Sequence, residues 1–300
     1  CTVNNAATAN ISTGSKTFST VLNGGATFTK SGAGELVLAS SNRASRQVGV
    51  AAGTLTTSAS ELLPDSAVLK VDPLAAFKLG GNETVGNLLV QTNTSGTGNI
   101  DLQNFTLTYG GNNGSTTNSA QTTGAGGFVK NGTGSVLLNM VGTYAGGFVL
   151  NQGTVRFTTT GTTTNGAVSN SVFGTGPLTL NGGSTITSSS ASSGRSVHNA
   201  ITLNGNVQFG DSAWASTNAV MNTNASGSQS ALFTAGNLAG ASTTLLGDST
   251  IYTINLVDWY QAINGNFRIT KDGTGAASLS NNYLKLRASN NIAGVTVAAG

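Results

Sequence analysis

The 300-residue chain is poor in charge, proline, cysteine and histidine. Charged residues make up 8% of it, against about 25% in an ordinary globular domain. The single cysteine, Cys1, excludes an internal disulfide. With the single histidine, His198, it also excludes zinc sites built from clusters of Cys and His. Only 3 prolines occur, so strand pairing is rarely interrupted, and every apolar run is shorter than the roughly 18 residues of a membrane helix.

The few charges also argue against nucleic-acid binding and against catalysis. The 13 Lys and Arg residues are scattered, whereas a nucleic-acid interface clusters them on one element. The 10 Asp and Glu residues include no adjacent pair and no calcium-loop spacing. A glycosidase normally needs two carboxylates about 5–9 Å apart. Stacked coils could bring distant acids together, so a polysaccharide-degrading enzyme stays the least favoured alternative.

What the chain has in abundance is glycine, with 42 residues, together with Ser, Thr and Asn. Such a composition could indicate disorder, but hydrophobic residues make up 38% and arrive in short alternating runs. Alternation with period two is typical of strands with one buried face. The sequence therefore predicts an all-β fold.

One stretch, Phe128–Phe157, recurs in variant form at Phe28–Leu55 and Phe267–Gly300. Each copy has a Lys, a Gly-x-Gly two residues later, and a short alternating strand. Such self-similarity marks a repeat architecture, with units at about 1–127, 128–266 and 267–300. Asn-Gly pairs between the strands suit either hairpins or the corners of a solenoid. Uneven spacing between strands and turns favours the solenoid, in which Val, Leu, Ile and Phe fill a continuous core.

We therefore predict one continuous β-solenoid over residues 1–300, with the polar segments 110–127 and 211–230 as protruding loops. Leu137 is expected in the core, so that Leu137→Asp would disrupt folding or secretion. The segment 59–69 is the best candidate for a short helical turn, capped by Ser60 and ended by Pro64.

Several residues carry candidate chemistry. Lys30, Lys130 and Lys271 precede Gly-x-Gly and could contact phosphate, but a phosphate-binding loop needs Gly-Lys-Ser/Thr entering a helix, so we interpret them as corner residues. His198 is expected at the surface. No catalytic, cofactor-binding or metal-binding residue is predicted.

The notable aromatic residues are Trp214, Trp259 and Tyr260. Exposed aromatic side chains could contact a glycan or a partner protein, and the alternative is local packing in a loop or a coil interior. They are the candidate surface-contact residues of the chain.

The motifs resemble one known family. Its pattern K-x-G-x-G-x-L-x-L, followed by N-x-Y-x-G-G and V-x-x-G-T-L, is matched at Lys130–Leu138, Gly142–Gly147 and Val149–Val155. Linking patterns match at Phe77–Leu88 and Arg195–Leu203, while residues 42–45 depart from the family's turn. The chain resembles the autotransporter-associated β-strand repeats, also called passenger-associated transport repeats, of bacterial surface proteins. The resemblance implies a right-handed parallel β-helix, secreted and displayed on the outer cell surface.

Two functions follow as hypotheses. The first is a cell-surface structural solenoid that acts as a stalk or adhesin and contacts cell-surface or matrix glycans and proteins. The alternative is a subunit of a self-assembling filament or sheath that contacts other copies of itself, end to end or laterally. We expect no cofactor, and we expect the chain to be part of a longer protein, with Cys1 either a fragment end or a lipidated residue.

Overall fold

A computed structural model describes residues 5–22, 24–41, 46–189, 195–210, 233–235, 241–254, 257–273 and 284–298. The chain forms two compact units, unit 1 (Cys1–Gly147) and unit 2 (Phe148–Gly300). Within the described ranges every regular element is a β-strand, and no helix occurs. Cys1, residues 42–45, Trp214 and the predicted loop 211–230 lie outside the described residues.

The strands of unit 1 are short, because each runs along only one side of a coil. They are β1 (Ala7–Asn10), β2 (Ser15–Phe18), β3 (Phe28–Ser31), β4 (Glu35–Leu38), β5 (Gln47–Val50), β6 (Thr54–Thr57), β7 (Val68–Val71), β8 (Ala76–Lys78), β9 (Glu83–Val85), β10 (Asn87–Val90), β11 (Thr92–Asn93), β12 (Gly96–Thr97), β13 (Asn99–Asp101), β14 (Thr106–Tyr109), β15 (Thr116–Asn118), β16 (Gln121–Thr123), β17 (Gly127–Lys130) and β18 (Ser135–Leu138).

These strands stack in parallel into three faces. The first face runs β1, β3, β5, β7, β10, β15, β18, and the second face is a 6-stranded sheet running β2, β4, β6, β8, β13, β16. The third face runs β9, β14, β17. Strands of one face come from successive coils, which is the topology of a solenoid. The short hairpin β11–β12 interrupts one coil and is antiparallel.

Unit 2 continues with strands of three to eleven residues. They are β19 (Phe148–Leu150), β20 (Gly153–Phe157), β21 (Thr162–Thr164), β22 (Ala167–Asn170), β23 (Leu178–Asn181), β24 (Ser184–Ser188), β25 (Arg195–Val197), β26 (Ile201–Asn204), β27 (Val207–Phe209), β28 (Phe233–Ala235), β29 (Ser242–Leu245), β30 (Ser249–Thr253), β31 (Val257–Trp259), β32 (Ala262–Asp272), β33 (Leu284–Leu286) and β34 (Asn291–Val297).

Unit 2 has the same parallel stacking. One row runs β19, β23, β26, β29, and a second runs β20, β24, β27, β30. Both rows then pair with β32, which is long enough to pass from one face to the next. A 4-stranded sheet runs β25, β28, β31, β33, and β21–β22 form an antiparallel hairpin.

The core follows the predicted alternation. In β4, Leu36 and Leu38 are buried while Val37 between them is partly exposed. Their partners in β6 repeat the pattern, with Leu55 buried at the position paired with Leu36. Each fully buried aliphatic or aromatic side chain contributes about 1.5–3 kcal/mol. The prediction of an all-β parallel solenoid is confirmed.

Three local predictions are wrong. Leu137 is not a core residue, because Val136 and Leu138 are the buried positions of β18. The segment 110–127 is not a protruding loop but a coil, since it supplies β15 to the first face and β16 to the second. Residues 59–66 form bends and turns instead of a helical turn, and β7 begins at Val68. Here Glu61 has a positive φ of 54°, a left-handed conformation that ends any helix.

Candidate functional site

The lysine before the first Gly-x-Gly is a buried corner residue. The Lys30 Nζ donates to the carbonyl oxygens of Ser31 and Gly32 at 2.9 and 2.7 Å. It also donates to Ala52 O, in the next coil, at 2.9 Å. One ammonium group with three donors therefore satisfies three carbonyls of two stacked corners.

Lys130 and Lys271 repeat this geometry. The Lys130 side chain is buried and its Nζ donates to the carbonyls of Asn131 and Gly132, the latter at 2.8 Å. Lys271 Nζ donates to Gly273 O at 3.3 Å. Burial lowers the pKa of all three lysines, that of Lys130 to about 8. Their donors point at the protein's own backbone, so the corner interpretation fits better than phosphate contact.

A buried polar network surrounds Asn199 in unit 2. Its Nδ2 donates to the carbonyls of Gly174 and Gly176 at 3.0 and 2.6 Å, and its Oδ1 accepts from Ser171 Oγ at 2.9 Å. The neighbouring His198 is half-buried instead of surface-exposed, which corrects the prediction, and burial lowers its pKa. These groups hold a corner of the coil together, and among the described residues His198 Nδ1 has no hydrogen-bond partner.

The aromatic candidates differ in how far their side chains are buried. Trp259 is fully buried, packs edge-on against Phe209 at 5.4 Å, and its Nε1 donates to Thr243 Oγ1 at 2.9 Å. The prediction that Trp259 is a surface-contact residue is therefore wrong. The alternative, packing in the coil interior, is confirmed. Tyr260 is partly exposed, and the Arg287 guanidinium lies 5.7 Å from its ring centroid, within cation–π range. Trp214 lies outside the described residues.

Acidic side chains serve local structure where they are buried. Glu83 accepts hydrogen bonds from the backbone N–H groups of Leu62 and Leu63 at 3.1 and 2.9 Å. Burial raises the pKa of Glu83 to about 8, against the opposing effect of those two bonds. Asp258 accepts from Arg287 Nε at 2.7 Å. Among the described residues, no group of three or more His, Cys, Asp and Glu side chains is placed to hold a metal ion.

Unit 1 carries one concave feature, which we call the corner cleft. It is an open cleft of about 330 Å³ where the third face turns into the first, and four successive coils contribute to it. Thr84 of β9 and Thr108 of β14 are register partners along one wall. The rest of the lining consists of Asp65, Ser66, Val85, Gly111, Asn112 and Asn131.

Main-chain hydrogen bonds between successive turns fix the backbone beside the corner cleft. Gly86 N donates to Ala67 O at 2.8 Å, and Asn112 N donates to Gly86 O at 3.2 Å. A Cβ at Gly86 would lie 2.6 Å from Ser66 O, so only glycine allows the corners to approach this closely. The turns of three coils are thus stacked by main-chain hydrogen bonds, and they present Ser66 and Asn112 along a rigid edge.

Sequence reasoning missed the corner cleft and the Asn199 network. The cleft has no motif, because its residues come from four coils. The only signal for Asn199 was its fixed place in the pattern at Arg195–Leu203. A third missed feature is a stack of asparagines, in which Asn204 donates to Asn181 at 2.8 Å and Asn181 donates to Asn151 at 2.6 Å.

Comparison with known families identifies the repeats. The model of the passenger-associated transport repeat matches residues 28–56 and 128–157, which are the first two predicted copies. The chain thus contains repeats of this family, and the resemblance is confirmed for these stretches. The third copy, at Phe267–Gly300, stays a prediction. No curated protein matches the chain.

The matched repeats and the β-solenoid fold fit a structural protein of the autotransporter-passenger type. The repeat is one of surface or secreted proteins. In the described part of the chain no helix has both the length and the apolar character needed to cross a membrane.

Proposed function

We propose that the chain is a cell-surface passenger of the autotransporter type, which acts as a stalk or adhesin on the outer face of a bacterial cell. The observation that carries this proposal is the coincidence of family match and structure. Both matched stretches contain the buried lysine corner, at Lys30 and Lys130, and the strands that continue the stacked faces. The motif residues therefore form and stabilise the coils.

The outward chemistry supports work at a hydrated surface. On the second face the outward column passes through Val37, Thr56, Lys78, Asp101 and Thr123. Neighbouring hydroxyl and charged groups bond to one another, as when Thr56 Oγ1 donates to Glu35 Oε1 at 2.6 Å. A face of this kind suits contact with water and with polar partners such as cell-surface glycans or proteins.

The proposal is tested by location and by adhesion. The full-length protein in its own host should be cut by protease added to intact cells. Deletion of its gene should then reduce adherence of the cells to a glycan-bearing surface if the protein is an adhesin, and leave adherence unchanged if it is only a stalk. A protein that is cut only after cell lysis would contradict both roles.

A further inference from the structure

We propose that the corner cleft binds a neutral sugar residue of a glycan, with Asp65 and Asn112 as the principal contacts. The inference rests on the proposed function, because it names a partner for a surface protein. It is carried by the cleft's shape and by the polar groups that line it.

The polar groups of the cleft are available to a ligand. The side chains of Asp65, Ser66 and Thr108 make no hydrogen bond to other described residues. Asn112 Oδ1 accepts from Gly114 N at 3.0 Å, which orients the amide and leaves its Nδ2 donor unused within the described part of the chain. The cleft thus offers a carboxylate, two hydroxyls and an amide donor.

This set of groups matches the hydroxyls of a pyranose. A carboxylate has two oxygens and accepts hydrogen bonds from two adjacent hydroxyls, while an amide N–H donates to a hydroxyl or ring oxygen. Bonds to an ionised acceptor are stronger than neutral ones, so Asp65 would supply most of the orientation. No Lys or Arg lines the cleft, and Asp65 would repel an anion, so the ligand class is neutral rather than acidic.

The volume agrees with this ligand class. Small-molecule sites range over about 300–1,000 Å³, and the cleft, at about 330 Å³, lies at the lower end. Its openness to solvent on one side suits a sugar within a longer chain. The stacked turns hold the edge in place before binding, which lowers the ordering cost.

The first test fills the cleft. A Cβ at Gly111 meets nothing within 4 Å, so Gly111→Phe adds a ring beside the cleft without backbone strain. Gly25 is equally open, and Gly25→Phe is the matched control in the same unit. Saturation-transfer NMR on the purified full chain, with methyl glucoside, galactoside and mannoside at millimolar concentration as probes, should show transfer to at least one probe. The signal should persist in Gly25→Phe and vanish in Gly111→Phe.

The second test removes the amide donor. Asn112→Asp keeps the oxygen that accepts from Gly114 N and replaces the donor by a carboxylate, which should weaken binding by about tenfold or more. Gln121→Glu makes the same charge change at an exposed position of the second face and should leave binding unchanged. Methyl glucuronide should bind more weakly than the neutral probe because of Asp65.

The proposal is overturned if no neutral probe shows transfer, or if transfer survives Gly111→Phe. These outcomes are independent of the proposed function, because protease access on intact cells does not depend on the cleft. A surface-displayed protein without sugar binding would refute the cleft alone. Sugar binding by a protein found only inside the cell would refute the surface role alone.

Discussion

At the scale of single residues, the buried lysines are the most informative feature. A lysine is seldom fully buried unless its ammonium group is paired. Here each ammonium group is directed at carbonyls of a corner that would otherwise have too few donors. Because the pKa of Lys130 is lowered only to about 8, the side chain still carries its proton and its donors at neutral pH.

We expect Lys130→Met to lower the free energy of unfolding by about 1–3 kcal/mol, since it leaves the carbonyls of Asn131 and Gly132 without their donor. Lys16→Met, at an exposed position of β2, is the control and should change stability by less than about 0.5 kcal/mol. Urea denaturation followed by circular dichroism measures both. Equal effects of the two substitutions would contradict the corner role.

Glu83 predicts a dependence of stability on pH. Its pKa is raised from 4.5 to about 8 in the folded chain, so between these values the folded state binds more protons than the unfolded state. Stability should therefore fall as pH rises from about 4.5 to 8, and Glu83→Gln should remove this part of the dependence. Thermal unfolding over this pH range is the measurement. A slope unchanged in Glu83→Gln would show that other groups cause it.

At the scale of elements, the sequence predicts which segments are strands better than which side chains point inward. Val136, Leu137 and Leu138 are three consecutive apolar residues, so hydrophobicity alone cannot tell which are buried. The family motif identifies the buried residues, because its two leucine positions fall on Val136 and Leu138. The segment 110–127 looked like a loop because Ser, Thr and Asn dominate it, yet stacking between coils makes strands of β15 and β16. The cleft and the polar networks depend on which coils are neighbours, and one sequence does not give that register.

A pair of substitutions tests the orientation of β18. Val136→Asp buries an unpaired carboxylate and should cost more than about 4 kcal/mol or abolish folding. Leu137→Asp places the same group on the partly exposed side and should be tolerated far better. The measurements are the soluble yield and the thermal midpoint of the two variants. A milder effect of Val136→Asp would reverse the orientation of the strand.

Cross-linking tests the parallel register of the second face. Thr56 and Lys78 are register partners in β6 and β8, and partners in adjacent strands are close enough for a disulfide. In a Cys1→Ser background, Thr56→Cys with Lys78→Cys should oxidise to a disulfide. Thr54→Cys with Lys78→Cys is displaced by two residues, more than about 7 Å apart, and should remain reduced. The opposite preference would exclude the register described here.

At the scale of the whole molecule, two units built on the same parallel stacking supply a hydrated surface with few charges and many hydroxyl and amide groups. The hydrophobic residues that fill the coils stabilise the fold. The buried lysines of the motif stabilise the corners. Function is therefore expected at the outer surface of the coils, as the corner cleft illustrates.

The most direct test of this account is protease accessibility of the full-length protein on intact host cells, read with antibodies against residues 5–22 of unit 1 and 284–298 of unit 2. The account predicts that both signals fall when protease is added to intact cells, while a cytoplasmic marker protein is spared. Protection of both segments until the cells are lysed would contradict a cell-surface passenger.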